Sequence, residues 1–396
     1  MSQCFPVDTM RRMDALPSRA GIVVVGGGAL GTSIAHALSE AGVTDVVLLE
    51  AAELGGGSTG KPLGGLRGQF SDALNIALAA RSLEHYERLD AAGVGLTFDR
   101  VGYLFLLRTP DQVERLEQSV ELQNDFGVPS RMITADEAHA LSPYIDRDRY
   151  LAATFCPTDG HARPQAAIAS WACRARRRGV RIVERCQVRG IDVRGGVIAG
   201  VHTSKGTVAT DTVICAAGAW SAGIGAMAGV ALDVRPIRRQ IAFTPPRPGH
   251  HPRVPFTIDL ETSLHFHNAD DALLLGYSDP AQPVGFDRTY DARWLSELRR
   301  LTRLCAPALA DTPLTRDGWA GLYEMTPDAN ALIGEAPDVS RFLYATGFSG
   351  HGFCQAPAAA EVIRDLVLGE EPFVDITPLR AERFAERASI LEATIV

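Results

Sequence analysis

The sequence predicts an α/β (α+β) fold in which glycine-punctuated strand–turn–helix regions flank an inserted antiparallel sheet. Three observations carry this. An apolar strand at 22–25 runs into Gly26-x-Gly28-x-x-Gly31, a helix is expected over about 30–41, and a second apolar strand at 46–49 stops on Glu50. The same strand-into-small-residue pattern returns at 212–220 and at 342–352. Between 234 and 283 the apolar period changes to two, as in 263–267 and 272–277. At 396 residues and 46% hydrophobic, the chain is long enough for two domains.

The first unit reads as a dinucleotide cradle. Gly26 permits the tight turn, Gly28 lets a pyrophosphate approach the backbone, and Gly31 lets helix and strand pack closely. Ala29 and Leu30 open a helix whose free N–H groups and dipole favour a phosphate. Glu50 lies nineteen residues after Gly31, with Ala51 beside it, and is placed to accept hydrogen bonds from both ribose hydroxyls. The cradle alone leaves NAD and FAD equally open. The glycine-rich loop 55–67 follows, and a loop of that length beside a nucleotide site is read as functional. Further helices are expected over 71–89, 110–125, 164–178, 292–305 and 355–368, with strands at 101–107, 152–156, 181–184 and a hairpin within 190–201. The last helix is expected to carry Pro357 in its first turn and Gly369 just past its end.

Composition removes several classes. A net charge of -8 and a pI near 5.7 argue against a nucleic-acid partner, which needs a basic face. The longest apolar stretches are too short and too glycine-broken to span a bilayer. Residues 1–20 lack the apolar core of a signal peptide, so a cytoplasmic location is expected. Seven cysteines without C-x-x-C spacing, and no H-E-x-x-H, argue against a disulfide framework or a metal site.

Four blocks, in their order and spacing, resemble the FAD-dependent amine and amino-acid oxidoreductases of the D-amino-acid oxidase, glycine oxidase and sarcosine oxidase group. They are the cradle with Glu50, Gly57-Ser58-Thr59-Gly60, Ala216-Ala217-Gly218-Ala219-Trp220, and Gly347-Phe348-Ser349-Gly350-His351-Gly352. The resemblance spans most of the chain. It implies a Rossmann-like FAD-binding domain from discontinuous segments (18–95, 150–228 and 325–396) plus a substrate domain with a large antiparallel sheet (96–149 and 229–324). It also implies that Ser58, Thr59 and Gly60 hold the diphosphate and ribityl chain, that Gly64 and Gly65 bind the cofactor, that the backbone of Val188 touches the adenine, and that Ala217, Gly218 and Trp220 approach the cofactor again. Trp220 reads equally as a packed core tryptophan. Gly347, Phe348, Ser349, Gly350 and Gly352 lead into a helix N-terminus suited to the negative charge of a reduced flavin. His351 within that block donates to the flavin or lies against its face.

The reaction implied is hydride transfer to flavin N5 from the carbon next to nitrogen of a secondary amine or α-amino acid, of sarcosine/N-methyl, cyclic or D-amino-acid type, giving an imine. Arg67 is the expected carboxylate anchor, at a position similar to the arginine of sarcosine oxidases. Glycine and D-amino-acid oxidases carry an arginine near Tyr323 and sarcosine oxidases a lysine at Cys354, and both are absent here. His265 and His267, two apart on one strand face, either line the substrate cavity or form sheet surface. Gly321 stands where monomeric sarcosine oxidases carry a flavin-linking cysteine, and the histidine used by dimethylglycine dehydrogenase-like relatives falls near Ser58, so FAD is expected to be noncovalent. Neither Lys61 nor Lys205 matches the oxygen-activating lysine of sarcosine oxidases, which tilts the reading slightly from an O2-using oxidase toward a dehydrogenase with another acceptor. A 2-hydroxy acid dehydrogenase and a noncatalytic FAD-binding assembly factor are the alternatives. An oligomer or a partner subunit is compatible with each.

Overall fold

The computed structural model describes residues 15–61, 63–315, 318–386, 391–392 and 394. The reading of the N-terminal segment therefore lies, for residues 1–14 and Cys4, outside the described residues. Among the described residues no helix is long and apolar enough to cross a membrane.

Ile22–Val25 lies inside a six-stranded sheet, parallel to Val46–Leu49 on one side and Thr212–Cys215 on the other. Arg181–Val183 and Phe342–Thr346 extend it in parallel, and Leu332–Glu335 closes one edge antiparallel. The central strands are continuous apolar runs because both faces are covered. Val24, Leu48 and Ile214 face the layer of helices Ala29–Glu40, Ala73–Ala91, Pro164–Arg177 and Gly352–Leu368. Val23, Val25, Val47 and Leu49 face the opposite layer, which includes the three-stranded sheet Val188–Arg194, Val197–Thr203 and Gly206–Val208. The parallel strands all end on one edge, so Gly26, Glu50, Ala216 and Gly347, far apart in sequence, begin side by side there. That edge is where open α/β sheets bind ligands.

A second sheet has eight strands, in the order Trp319–Met325, Arg235–Phe243, Ala272–Tyr277, His265–Ala269, Phe256–Asp259, Tyr103–Leu107, Ala152–Cys156 and Arg131–Ile133. Every pairing is antiparallel except Phe256–Asp259 with Tyr103–Leu107. One face packs on Leu295–Cys305 and Ala135–Leu141 through Leu104, Leu106, Phe266, Leu273 and Leu275. The other carries Tyr103, Phe105, Phe256 and Ile258. Ala152–Cys156 pairs on both sides within this sheet, whereas the sequence reading grouped it with the nucleotide segments. A short apolar run does not reveal which of two sheets it joins.

The last helix starts at Gly352, so Pro357 sits in its second turn rather than its first. Proline has no N–H to give the Phe353 carbonyl one turn back. The buried Tyr86 hydroxyl donates to that carbonyl instead. Tyr86→Phe keeps the ring beside Phe353 and Trp171 but leaves the carbonyl unpaired. We expect a loss of about 1–3 kcal/mol in chemical denaturation; an unchanged midpoint contradicts this pairing.

Candidate active site between the two sheets

The cradle is built by backbone contact. Gly26 has φ 112°, and a Cβ there would lie 2.3 Å from the Ala216 carbonyl oxygen. A Cβ on Gly31 would lie 1.8 Å from the Gly26 carbonyl oxygen. Gly28, by contrast, is open, with only the Thr59 hydroxyl near at 3.2 Å. That hydroxyl accepts the Ala29 N–H at 3.2 Å and ties the helix start to the Ser58–Gly60 turn. Glu50 is fixed at the strand end, its carboxylate accepting the Gly27 and Ala52 N–H groups at 2.7 Å each. Ala51 is exposed beside it, and Val188 is buried at the start of the neighbouring small sheet.

From this edge a cleft runs between the sheets. Ala29, Leu30, Ser58, Thr59, Gly64 and Gly65 line one side, Ser349, Gly350, His351 and Gly352 the end, and Tyr103, Phe256, His265 and Tyr323 the large-sheet wall. Gly65 is glycine because a Cβ would meet the Tyr103 hydroxyl, at 1.9 Å; at Gly350, φ 104°, it would meet the Tyr323 ring at 2.4 Å. Asp159, absent from the sequence reading, pins this loop by accepting the Gly68 N–H at 2.8 Å. Burial pushes Asp159 up to about 6, against the hydrogen bonds it accepts.

Trp220 is 37% exposed and stacks on Phe286 at 5.9 Å, so it is not a packed core tryptophan. It lines a second pocket with Ser58 and Gly321. The two strand histidines also separate. His265 lines the cleft; its Nδ1 lies 3.0 Å from the Ser263 carbonyl, and its Nε2 is buried without a partner. His267 is not among the residues lining either pocket and is stacked between Phe256 and His161, each at 4.5 Å. Burial, the first cause, lowers both, His265 to about 4.

Arg67 lines the cleft, but its guanidinium is engaged. It donates to the Gln69 carbonyl, to the Thr394 hydroxyl at 2.9 Å and to the Thr394 carbonyl at 3.1 Å, and lies over the Phe70 ring at 3.9 Å. Its backbone is latched to Cys354, whose thiol accepts the Arg67 N–H at 3.3 Å and donates to its carbonyl at 3.2 Å. Cys354 thus fastens the loop to the last helix. A guanidinium without an acid partner belongs to Arg239, which the sequence reading missed. It lines the cleft, makes no ion pair among the described residues, leaves Nε buried and unpartnered, and lies 5.3 Å from the Tyr323 ring centroid. Glu324, also missed, accepts the Thr346 hydroxyl at 2.9 Å, while its own carbonyl accepts the Ser349 N–H at 3.2 Å. Burial raises its pKa, opposed by the Gly347 and Phe348 N–H groups and the Thr346 hydroxyl.

His351 caps the last helix without a side-chain bond, leaving that N-terminus open to the cleft. Both ring nitrogens are buried and unpartnered, and burial, then Arg67, push its pKa down to about 3, so the imidazole is neutral. Ser58 Oγ and Trp319 Nε1 are further unpartnered buried groups lining the cleft. Buried polar atoms without partners and surfaces that only glycine permits fit a large ligand with an anionic tail in the cradle and a flat polar head at the helix N-terminus. Among the described residues no cluster of three or more metal-ligating side chains occurs.

Fold and site together define an adenine-dinucleotide oxidoreductase of the two-sheet type. The chain belongs to the DAO family of FAD-dependent oxidoreductases, whose family model matches residues 21–366. It is 30% identical over 384 residues to a 4-methylaminobutanoate oxidase (formaldehyde-forming) of Paenarthrobacter nicotinovorans, and 28% identical over 388 residues to the mitochondrial dimethylglycine dehydrogenase of Rattus norvegicus. These alignments cover 94% and 93% of this chain but 46% and 45% of those proteins, so the chain spans about half their length. Among solved structures it is similar to an L-proline dehydrogenase from P. horikoshii, with TM-score 0.88, 32% identity, and coverage of 95% of this chain and 100% of that one.

Proposed function

We propose that this protein uses noncovalently held FAD to oxidise the C–N bond of a secondary amine or α-amino acid to an imine. The observation that carries the reading is the open helix N-terminus at His351 and Gly352, facing the aromatic wall of the large sheet across the cleft. When bound, the flavin supplies the redox chemistry by accepting the hydride. The chain's own groups bind and orient. The N–H groups at Gly350 and Gly352 and the helix dipole would favour negative charge on a ring bound there. Neutral His351 offers a hydrogen bond without adding a cation. Tyr103 and Phe256, stacked at 4.4 Å, give the substrate side an apolar surface that excludes water. The named substrates of the three relatives, 4-methylaminobutanoate, dimethylglycine and L-proline, are all N-alkylated amino acids, which supports the same class here.

Gly321 and Ser58 offer neither thiol nor imidazole at the positions associated with covalent attachment, which supports noncovalent binding. Acid precipitation of the holoenzyme is expected to leave all flavin in the supernatant; yellow colour retained in the washed pellet contradicts this. The reaction is tested by anaerobic mixing with a panel of N-methyl, cyclic and D- and L-amino acids. Bleaching by at least one supports the reading. Bleaching by 2-hydroxy acids alone overturns it.

A further inference from the structure

We infer that Arg239 is the group that receives the substrate's carboxylate, so that the substrate is an amino acid rather than a simple amine; this deepens the amine-oxidation reading and rests on it. The three positions that the resemblance implies for a carboxylate anchor, Arg67, Tyr323 and Cys354, are all closed to that role in this chain. Tyr323 and Cys354 carry no charge, and Cys354 is committed to the Arg67 backbone. Arg67 is charged, but its guanidinium already faces three oxygens, from Gln69 and Thr394. A carboxylate arriving there would have to displace bonds already made.

Arg239 differs in each respect. It lies within Arg235–Phe243, whose alternation sends Arg238 and Arg239 to opposite faces of the large sheet. Arg238 is paired, with Asp287 at 2.7 Å, the Thr289 carbonyl at 2.8 Å and Gln282 at 3.2 Å. Arg239 points into the cleft, and its guanidinium donates to the Arg238 carbonyl at 3.3 Å. Asp279 acts on it only from beyond ion-pair range. A mostly buried guanidinium without an acid is costly unless a ligand supplies the anion. The residue directly across the strand is Gly321, which adds no side chain of its own beside the fork; the nearest side chain there is that of Lys61, whose Cβ lies 3.0 Å from where a Cβ on Gly321 would be. Tyr323, two residues on and on the same face, places its ring centroid 5.3 Å from the guanidinium, within cation–π range. Ile241, two residues along from Arg239, and Ile258 on the same wall supply apolar surface for the rest of the molecule.

The test uses oxidised holoenzyme and two unreactive probes of equal shape, cyclopentanecarboxylate and its neutral amide, cyclopentanecarboxamide. Binding is read from the perturbation of the flavin spectrum, without turnover. Wild-type protein is expected to prefer the carboxylate. Arg239→Gln is expected to weaken carboxylate binding by roughly 30- to 5,000-fold, the range for unpairing a buried charge, with little change for the amide. Arg239→Lys, which keeps the charge but not the fork, is expected to fall between the two. Arg238→Gln is expected to behave as wild type. Unchanged carboxylate preference in Arg239→Gln or in Arg239→Lys, whichever retains flavin, overturns the inference. The two readings fail separately. Carboxylate binding that depends on Arg239 in a protein whose flavin no amine reduces overturns amine oxidation and leaves the anchor standing. Flavin reduction by amino acids with Arg239-independent carboxylate binding overturns the anchor alone.

Discussion

Gly31→Ala is expected to yield a colourless, poorly folded protein. The added Cβ would sit 1.8 Å from the Gly26 carbonyl oxygen, and that atom cannot yield because it belongs to the turn leaving the central strand. Helix Ala29–Glu40 must therefore move off the sheet, opening the contact that buries Ile34 and Leu38 and displacing the N–H groups that face the cradle. Overpacking at a site that cannot relax costs about 1–3 kcal/mol and more against backbone, a large share of a net stability of roughly 5–15 kcal/mol. Gly223→Ala is the control. That glycine is exposed in the helix Ser221–Met227 with nothing within 4 Å of an added Cβ, and the change is expected to be neutral or stabilising by about 0.5–1 kcal/mol. Flavin content and thermal midpoint of the purified variants decide the matter; a yellow Gly31→Ala protein with wild-type midpoint contradicts the close approach.

Stability is expected to fall steeply as pH drops below about 6.5. His36, His161 and His265 are lowered to about 4 and His351 to about 3, in each case by burial first. Below 6.5 the unfolded chain takes up protons on these residues that the folded chain refuses, so each contributes stability that is full above 6.5 and lost on the way down to its folded pKa. Asp72 and Asp159 act in the opposite sense. Burial raises both to about 6, so between about 6 and 3.8 the folded chain holds protons that the unfolded chain does not, which favours folding as pH falls. At 1.36 kcal/mol per unit, each histidine is worth roughly 3–5 kcal/mol and each aspartate roughly 3. Four histidines outweigh two aspartates by several kcal/mol. Urea midpoints measured at pH 7, 5.5 and 4.5 are expected to decline throughout; a midpoint that rises toward pH 4.5 contradicts the neutral, buried state of these histidines.

The glycine blocks were legible because the requirement they meet is local: a turn or close approach that any side chain would obstruct. Thus the strands Ile22–Val25, Val46–Leu49 and Phe342–Thr346, and the turns leaving them, stand where their residues indicate. What stayed hidden depends on partners distant in sequence. Arg67 has the character of an anchor until Thr394, 327 residues later, folds onto it. Arg239 is one arginine among many until the register places it across from Gly321, facing the cleft. The spacing of His265 and His267 correctly puts them on one face, but not that one lines the cleft while the other stacks between Phe256 and His161. Pro357 seemed to mark a first turn because sequence gives no sign that Tyr86 serves the carbonyl proline leaves unpaired.

The most direct test of the account is anaerobic reduction of the wild-type holoenzyme by matched pairs that differ only in the carboxylate: proline against pyrrolidine, and sarcosine against dimethylamine. Bleaching of the yellow colour by an amino acid of such a pair, with its decarboxylated partner slower by orders of magnitude, is the result expected from an amine-oxidising cleft with a fixed cation. A flavin that stays oxidised with every amino acid and amine offered would contradict it.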